Sequence, residues 1–428
     1  MLHLQIQNSL AERIGRRHGV SEARLRSFCQ THSEKIQTIF RSKAKPGYNF
    51  VSLPDDAANL TKVRKFAEQQ AKAGWKNVVV LGIGGSSLGA IAVRDALSSE
   101  FSKGPKLYVV DNIDPAYTHE LLANLDLKKT IFVVISKSGT TTEPMVLYAL
   151  VKEALMKKFP KDYQKHLVFV TDPKDGLLRR MAKDEGITAF DIPPKIGGRF
   201  SVLTNVGLVP LALAGFDISG LLKGAREMRE GLKRSKGMDN PALRLAALQY
   251  ILDKKKDKVM TVLMPYSNYL FRVGDWYRQL LAESIGKGKG AGPTPINALG
   301  TTDQHSQLQL YNDGPNNKFL IFMRVLKHAG DPKIGQVLPE EISFLNGKKM
   351  SQIIDAAYKG TSEALTKHKR PNVTIDVPKV DARALGQLFM LFEFQVALLG
   401  LLYKVDAFNQ PGVEHSKQIT KNILRAND

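Results

Sequence analysis

The stretch KNVVVLGIGGSSLGAIAVRDALSS (76–99) is the most informative about the fold class. Its first part is a short apolar run rich in valine, which predicts a strand buried on both faces. Glycines end that run, and the residues from the two serines onward predict a helix. A buried strand that passes through a glycine turn into a helix is the unit of parallel α/β sheets, so the sequence predicts an α/β fold.

The same alternation continues along the chain in two series. In the first series, further strands are predicted at KLYVVDN (106–112), TIFVVISKSG (130–139) and HLVFVTDP (166–173). In the second, they are predicted at KVMTVLMPY (258–266), KFLIFMRVL (318–326) and VTIDVPKV (373–380). Up to about residue 50 the pattern is helical. Two α/β domains fit this order, with the junction within 205–240.

Composition places the chain among ordinary globular proteins. It has 428 residues, 43% apolar and 24% charged, enough for two domains with sizeable cores. The one cysteine, Cys29, cannot form an internal disulfide, and no Cys/His cluster suggests a metal site. The first residues lack the pattern of a signal peptide. We therefore expect a cytoplasmic protein.

Two features of the chain could suggest a membrane or nucleic acid. The apolar stretch 385–405 contains Gln387, Glu393 and Gln395. Because a charged residue is costly at mid-bilayer, we expect a buried helix and no membrane association. The net charge of +21 favours anionic partners, but it does not separate nucleic acids from phosphorylated metabolites. The lysine-rich runs 253–258 and 286–290 are expected to be solvated.

Two loops after predicted strands have the composition of phosphate-binding sites. GIGGSSLG (82–89) offers backbone amides and serine hydroxyls, and SKSGTTTEP (136–144) offers one lysine and five hydroxyls. Such loops lie beyond the carboxyl ends of parallel strands, where helix N-termini attract anions. The spacing fits neither the GxGxxG fingerprint nor the P-loop, which excludes the common nucleotide motifs. The alternative is a tight strand–helix turn with capping hydroxyls.

Five segments in order resemble the motifs of the phosphoglucose isomerase family. They are GIGGSSLG (82–89), SKSGTTTEP (136–144), GGRFSVLTNVGL (197–208), ESIGKG with GTTDQHS (283–288, 300–306), and QPGVEHSK (410–417). The resemblance implies two sugar-isomerase (SIS-type) domains, each a parallel sheet flanked by helices, plus a C-terminal helical segment. The predicted boundaries are an N-terminal helical segment 1–50, a first domain 51–215, a second domain 216–405 and a C-terminal segment 406–428.

The resemblance also implies an activity and a set of site residues. The family interconverts glucose 6-phosphate and fructose 6-phosphate, in glycolysis and gluconeogenesis, as a homodimer without metal or cofactor. By position, Glu283 is the base, Arg199 lies beside the reacting carbons, and His305 and Lys417 serve ring opening. His305 is expected to come from the neighbouring subunit. Substrate-binding positions are Gly84, Gly85, Ser86, Ser136, Lys137, Ser138, Thr141, Gly198, Gln279 and Gln410.

The chemistry explains these residue types. Isomerisation moves a proton between C2 and C1 through an enediolate, which requires a carboxylate that takes and returns a carbon-bound proton. A permanently charged guanidinium can stabilise the developing oxyanion. Ring opening moves a proton between oxygens, and imidazole titrates near neutrality.

Several positions depart from the commonest family pattern. They are Gly139, Pro144, Ile285, Pro411, His415 and Ser416. None is one of the expected chemical residues, so the reaction class is retained. The departures bear on substrate affinity and on selectivity between glucose and mannose phosphates, and a dual isomerase is an alternative.

Other functions fit the sequence less well than the isomerase. Residues 10–28 mimic a helix-turn-helix, which would suit a DNA-binding regulator, but such a protein needs neither the second domain nor the catalytic set. A non-catalytic sugar-phosphate sensor would not need the base. An aminosugar synthase would need a nucleophilic cysteine near its N-terminus, and Cys29 lies in a helical, basic segment. We therefore expect no nucleic-acid partner.

Overall fold

The computed structural model describes residues 1–288 and 290–426, which form two five-stranded sheets surrounded by helices. The strands are β1 (His3–Gln5), β2 (Asn77–Leu81), β3 (Lys106–Val110), β4 (Thr130–Ile135), β5 (Leu167–Thr171), β6 (Thr188–Asp191), β7 (Met260–Pro265), β8 (Thr294–Asn297), β9 (Lys318–Lys327) and β10 (Asn372–Lys379). The helices are α1 (Ala11–Ile14), α2 (Glu22–Thr31), α3 (Glu34–Arg41), α4 (Ala57–Ala71), α5 (Leu88–Leu97), α6 (Pro115–Asn124), α7 (Thr142–Lys158), α8 (Leu177–Glu185), α9 (Asn205–Leu213), α10 (Ile218–Arg234), α11 (Pro241–Lys256), α12 (Phe271–Ile285), α13 (Leu308–Asn312), α14 (Met350–Lys367), α15 (Ala382–Tyr403) and α16 (Glu414–Ala426).

The first sheet is parallel throughout, in the order β3-β2-β4-β5-β6. All six residues of β4 are buried, as expected of a strand with helices on both faces. In β2, Val78 and Val80 join the apolar core that contains α5 and α9, whereas Val79 and Leu81 join the core beneath α7 and α8. The continuous apolar run in the sequence therefore covers two cores, one on each face.

The second sheet has the order β1-β10-β9-β7-β8, and all its strands except β1 are parallel. The prediction that the pattern is helical up to about residue 50 is wrong at residues 3–5, which form β1. This short strand pairs antiparallel with β10, with Leu4 opposite Ile375. The edge of the sheet at β10 offers unpaired backbone groups, and the Leu4 side chain is buried there. Three residues are therefore enough to form a strand at this edge. The strands of the first sheet lie within 51–215, and those of the second, β1 excepted, within 216–405.

The long apolar helix α15 packs inside the protein, as predicted. It is long and apolar enough to cross a membrane, yet 94% of its most apolar window is buried. It contacts α10, α11 and α12, and its first turn is capped by Asp381, which accepts from the amide of Ala384 at 2.8 Å. The Gln395 side chain donates to Gln249 and, at 3.2 Å, to the hydroxyl of Tyr277. The amide nitrogen of Gln395 is therefore satisfied by α11 and α12, whereas the carboxyl oxygens of Glu393 have no hydrogen-bond partner among residues 1–288 and 290–426.

The segment 10–28 does not have the geometry of a helix-turn-helix. Its first helix, α1, has four residues, and Leu10 pairs with Val20 in a parallel bridge. Val20 and Leu25 are buried in the main core, and α2 packs against α11. The apolar positions that suggested a DNA-binding module instead attach the N-terminal segment to the second half of the chain.

Candidate active site

A cleft of about 760 Å³ opens at the carboxyl ends of β2 and β4. Every residue that the resemblance assigned to the site lines it, except His305. These residues come from the two phosphate-type loops, the turn around Arg199, α12 and the C-terminal segment, so the fold brings together positions from 83 to 417. The roles of the individual residues stay predictions.

The first loop turns sharply between β2 and α5. Its residues Gly84–Ser86 form a 3₁₀ turn, and Gly84 has a φ of +58°, which favours glycine. A Cβ on Gly85 would lie 2.1 Å from the carbonyl carbon of Gly198. Only glycine permits this approach. It places the 3₁₀ turn Gly198–Phe200, which carries Arg199, beside the loop. The Ser87 hydroxyl donates to the Gly84 carbonyl at 3.0 Å and so closes the turn, whereas Ser86 faces the cleft.

The second loop, between β4 and α7, is held by its own hydroxyls. The Ser136 hydroxyl donates to Thr141 at 3.2 Å and accepts from the Gly139 amide at 3.1 Å. The Ser138 hydroxyl accepts from the amide and the hydroxyl of Thr140 at 3.2 and 2.9 Å. These contacts order the hydroxyls at the N-terminus of α7, where the helix dipole favours an anion.

The structure accounts for two departures from the family pattern in this loop. Gly139 has a φ of +69°, and a Cβ there would lie 2.4 Å from the Leu178 amide nitrogen, so a bulky side chain would not fit this backbone. Pro144 is buried in the first turn of α7, where proline is tolerated because its missing N–H has no helical acceptor.

Lys137 lines the cleft but is already engaged. Its ammonium donates to the carbonyl of Pro194 and, at 3.3 Å, to that of Ile196. Burial lowers the pKa of Lys137, and the carboxylate of Asp172 opposes that shift. The lysine thus ties the second loop to the segment that precedes Arg199.

The predicted base lies on the last turn of α12. Gln279 and Glu283 are four residues apart on one helix face, and the Gln279 amide donates to a Glu283 carboxylate oxygen at 3.0 Å. The Glu283 side chain is 28% exposed, so it is open to a ligand in the cleft. The hydrogen bond fixes Oε1, and the other carboxylate oxygen, Oε2, lies 3.3 Å from Nη1 of Arg199.

Arg199 is the most extensively bonded side chain of the site. Its residue is 2% exposed, and all five of its N–H groups have acceptors. The acceptors are Ser284 Oγ at 2.7 Å, Gln410 Oε1 at 2.8 Å, Glu283 Oε2 at 3.3 Å, Ala407 O at 2.6 Å and Asn409 O at 2.9 Å. Burial lowers the pKa of the guanidinium, and Glu283 opposes that shift. Arg199 therefore joins the base helix to the C-terminal segment.

Lys417 and His305 occupy more exposed positions. Lys417 lies on α16 at the mouth of the cleft, where its ammonium pairs with Glu414 at 2.8 Å. His305 is exposed at the end of a 3₁₀ turn, Thr302–Gln304, outside the cleft lining. The expectation that it reaches the site of a neighbouring subunit stays a prediction.

Sequence reasoning missed several residues of the site. Glu143, Asp172 and Asp175 add carboxylates to the cleft wall. Ser284 accepts from Arg199, and Lys287 lies behind the base. Ser284 and Lys287 fall within the quoted ESIGKG motif, so the signal was present, but their contacts come from distant parts of the chain.

Comparisons with known proteins agree with this architecture. A glucose-6-phosphate isomerase of Carboxydothermus hydrogenoformans is 41% identical over 426 residues, 95% of this chain and 91% of that protein. A probable glucose-6-phosphate isomerase of Methanococcus maripaludis is 38% identical over 99% of this chain and 94% of its own length.

Two solved structures share the fold. The crystal structure of a hypothetical protein from Thermus thermophilus aligns with a TM-score of 0.88 at 35% identity, covering 99% of this chain and 100% of that one. A glucose-6-phosphate isomerase from Chlamydia trachomatis aligns with a TM-score of 0.84 at 23% identity, over 99% and 93% of the two chains. A model of the family described as phosphoglucose isomerase matches residues 49–428, and the chain therefore belongs to the phosphoglucose isomerase family.

Proposed function

We propose that this chain interconverts glucose 6-phosphate and fructose 6-phosphate by moving a proton between C2 and C1 of the open-chain sugar. One observation carries the proposal: Glu283 faces the same cleft as two hydroxyl-rich loops and touches the guanidinium of Arg199. Relatives that match nearly the whole chain are named for this reaction. The pathway implied is glycolysis and gluconeogenesis in the cytoplasm.

The phosphate would bind where the two loops meet. Ser86 and the hydroxyls of Ser136, Ser138 and Thr141 line that end of the cleft, at the starts of α5 and α7. Hydroxyls and helix N-termini together suit a phosphate dianion. The sugar would then extend toward Glu283, which places its reacting carbons at the opposite end of the cleft.

Glu283 would take the proton from one carbon and return it to the next. Its Oε1 is held by Gln279, so Oε2 is the oxygen nearer to Arg199. As the enediolate forms, negative charge grows on the substrate oxygens, and the guanidinium beside them stabilises it. The Nη1 group of Arg199 now donates to Glu283 and Gln410, and substrate oxygens would compete for these two N–H groups.

Ring opening would use Lys417 and the His305 of a second subunit in a homodimer. His305 is exposed and lies outside its own cleft, and the following helix exposes Leu310 at 51%. An exposed imidazole and, five residues later, an exposed apolar side chain fit a surface that a second copy covers. Such a dimer would contain two composite sites.

The test is conversion of fructose 6-phosphate to glucose 6-phosphate, coupled to a dehydrogenase, with the native chain and Glu283→Gln. We expect a loss of about 10²–10⁴-fold in kcat for the variant. Glu143→Gln is the matched control, because Glu143 is a second glutamate of the same cleft, and we expect it to retain most activity. Equal losses in both variants would contradict the assignment of the base, and no turnover in the native chain would contradict the proposed function.

A further inference from the structure

Lys287 lies directly behind the proposed base and has no role in the reaction described above. It follows the end of α12, four residues after Glu283. Its ammonium donates to the carbonyl of Ser284 at 3.0 Å and to the carbonyl of Asp406. It therefore connects the C-terminal end of the base helix to the start of the C-terminal segment.

Arg199 holds the next residues of the same segment. Its Nη2 group donates to the carbonyls of Ala407 and Asn409, and its Nε group donates to the Ser284 side chain. Two cations thus bind three backbone carbonyls within residues 406–409. Both also donate to Ser284, Arg199 to its hydroxyl and Lys287 to its backbone carbonyl. We call this arrangement the carbonyl clasp, formed by Arg199, Lys287, Ser284 and the carbonyls of residues 406, 407 and 409.

Beyond residue 409, Arg199 makes one further contact with this segment, from Nη1 to Gln410 Oε1 at 2.8 Å, and Lys287 supports the same segment through the Asp406 carbonyl. Phe408 packs against Tyr48 and Phe200, with ring centroids 4.6 and 5.1 Å apart, which anchors the segment at this residue. None of the residues 414–426 in α16 is buried. The placement of α16 over the cleft therefore depends on the backbone direction at 406–409, and that of Gln410 depends on this direction and on its hydrogen bond to Arg199.

We propose that Lys287 is a positioning residue that holds the C-terminal segment against the end of α12 and thereby places Gln410 and Lys417 relative to Glu283. The inference rests on the proposed function for its kinetic consequences. It does not require Lys287 to touch the substrate, because its contacts are with backbone carbonyls behind the cleft.

Electrostatics make this contact sensitive to alkaline pH. Burial lowers the pKa of Lys287 to about 8, and the neighbouring charge of Arg199 contributes to the lowering, whereas Asp406 and Glu283 oppose the shift. Hydrogen bonds from a charged donor are stronger than those from a neutral one. Loss of the proton as the pH rises through about 8 therefore weakens the hold of Lys287 on the Ser284 and Asp406 carbonyls.

The experiment compares Lys287→Met, Lys287→Arg and, as control, Lys255→Met, an exposed lysine of α11. Loss of the charged hydrogen bonds in Lys287→Met should lower kcat/KM at least about tenfold. Hydrogen exchange of residues 406–426 should become faster in that variant, and the control should change neither property. Lys287→Arg should restore most activity and move the alkaline limb of the pH profile upward, since a guanidinium stays protonated.

Two results would overturn the inference. One is a hydrogen-exchange rate of residues 406–426 in Lys287→Met that equals the rate in the native chain. It would show that the order of the segment does not depend on this side chain. The other is a native kcat/KM in Lys287→Met, which would show that the placement of Gln410 and Lys417 does not depend on the charged donor. The exchange measurement needs no turnover, so it distinguishes failure of this inference from absence of isomerase activity. If Lys287→Met fails to fold, Lys287→Gln, which also removes the charge, is compared with the native chain by the same two measurements.

Discussion

Replacing Arg199 by lysine tests whether one side chain supports both the structure and the chemistry of the site. The guanidinium donates five hydrogen bonds to five acceptors. An ammonium donates at most three, so at least two acceptors lose their partner. A buried polar group left unpaired costs about 1–3 kcal/mol, which predicts a destabilisation of about 2–6 kcal/mol. Glu283 and Gln410 lie at the cleft and can bind water, which favours the lower part of that range.

The kinetic effect should exceed what the loss of stability explains. Removing one preorganised donor from an oxyanion site typically costs about 10²–10³-fold in kcat, and we expect a loss of this size for Arg199→Lys. The assay is the coupled conversion of fructose 6-phosphate, measured well below the thermal unfolding midpoint of the variant. Arg13→Lys is the control, since Arg13 is exposed and forms one ion pair with Glu363.

A variant with native activity and a lowered midpoint would refute the chemical part of this reasoning and leave Arg199 a structural residue. A variant with a native midpoint would refute the hydrogen-bond argument. We expect both properties to fall together, because the five donors contact the base helix and the C-terminal segment at once.

Three further predictions concern subunit assembly, backbone packing and a buried acid. Mixed dimers of Glu283→Gln and His305→Ala subunits should regain about half the native activity per dimer, since one of the two composite sites is then intact. If no activity is recovered, His305 acts in the site of its own subunit. Gly85→Ala should lower the unfolding midpoint and weaken substrate binding, because its Cβ would lie 2.1 Å from the Gly198 carbonyl carbon, and an unchanged KM and midpoint would contradict this. Glu393 is fully buried with no hydrogen-bond partner for its carboxyl oxygens among residues 1–288 and 290–426, and burial raises its pKa well above the usual value. A raised folded-state pKa stabilises the protein below the unfolded pKa of about 4.3 and loses that contribution as the pH rises. Glu393→Gln should therefore be more stable than the native chain at pH 8, with the difference shrinking toward pH 4, and a difference independent of pH in thermal unfolding would contradict it.

The interior strands of both sheets could be predicted from local sequence. Runs such as TIFVVI at β4 are apolar at nearly every position because both faces are covered, and this composition is typical of a buried parallel strand. The edge strands β1, β6 and β8 were not predicted. They have three or four residues, and β8 contains Pro295, so their conformation depends on pairing with a neighbouring strand.

The candidate site also has parts that local sequence predicts and parts that it does not. The glycines and hydroxyls of the two loops are adjacent in sequence, and local turn geometry explains them, as Gly84 and Gly139 illustrate with their positive φ angles. The residues assigned through the family resemblance, except His305, line one cleft, although their distances could not be obtained from spacing. The place of His305 depends on a second subunit, which a single chain does not contain.

Local sequence was therefore sufficient to predict the fold class and the two loops of phosphate-binding composition, because these follow from periodicity and short-range backbone geometry. Only packing between distant segments established that the carbonyls of Ala407 and Asn409 accept from Arg199, that Asp406 accepts from Lys287, and that Gly85 touches Gly198. Backbone carbonyls are the same at every position of a chain. Which of them a buried cation reaches is set by the tertiary structure and leaves no mark in composition or spacing.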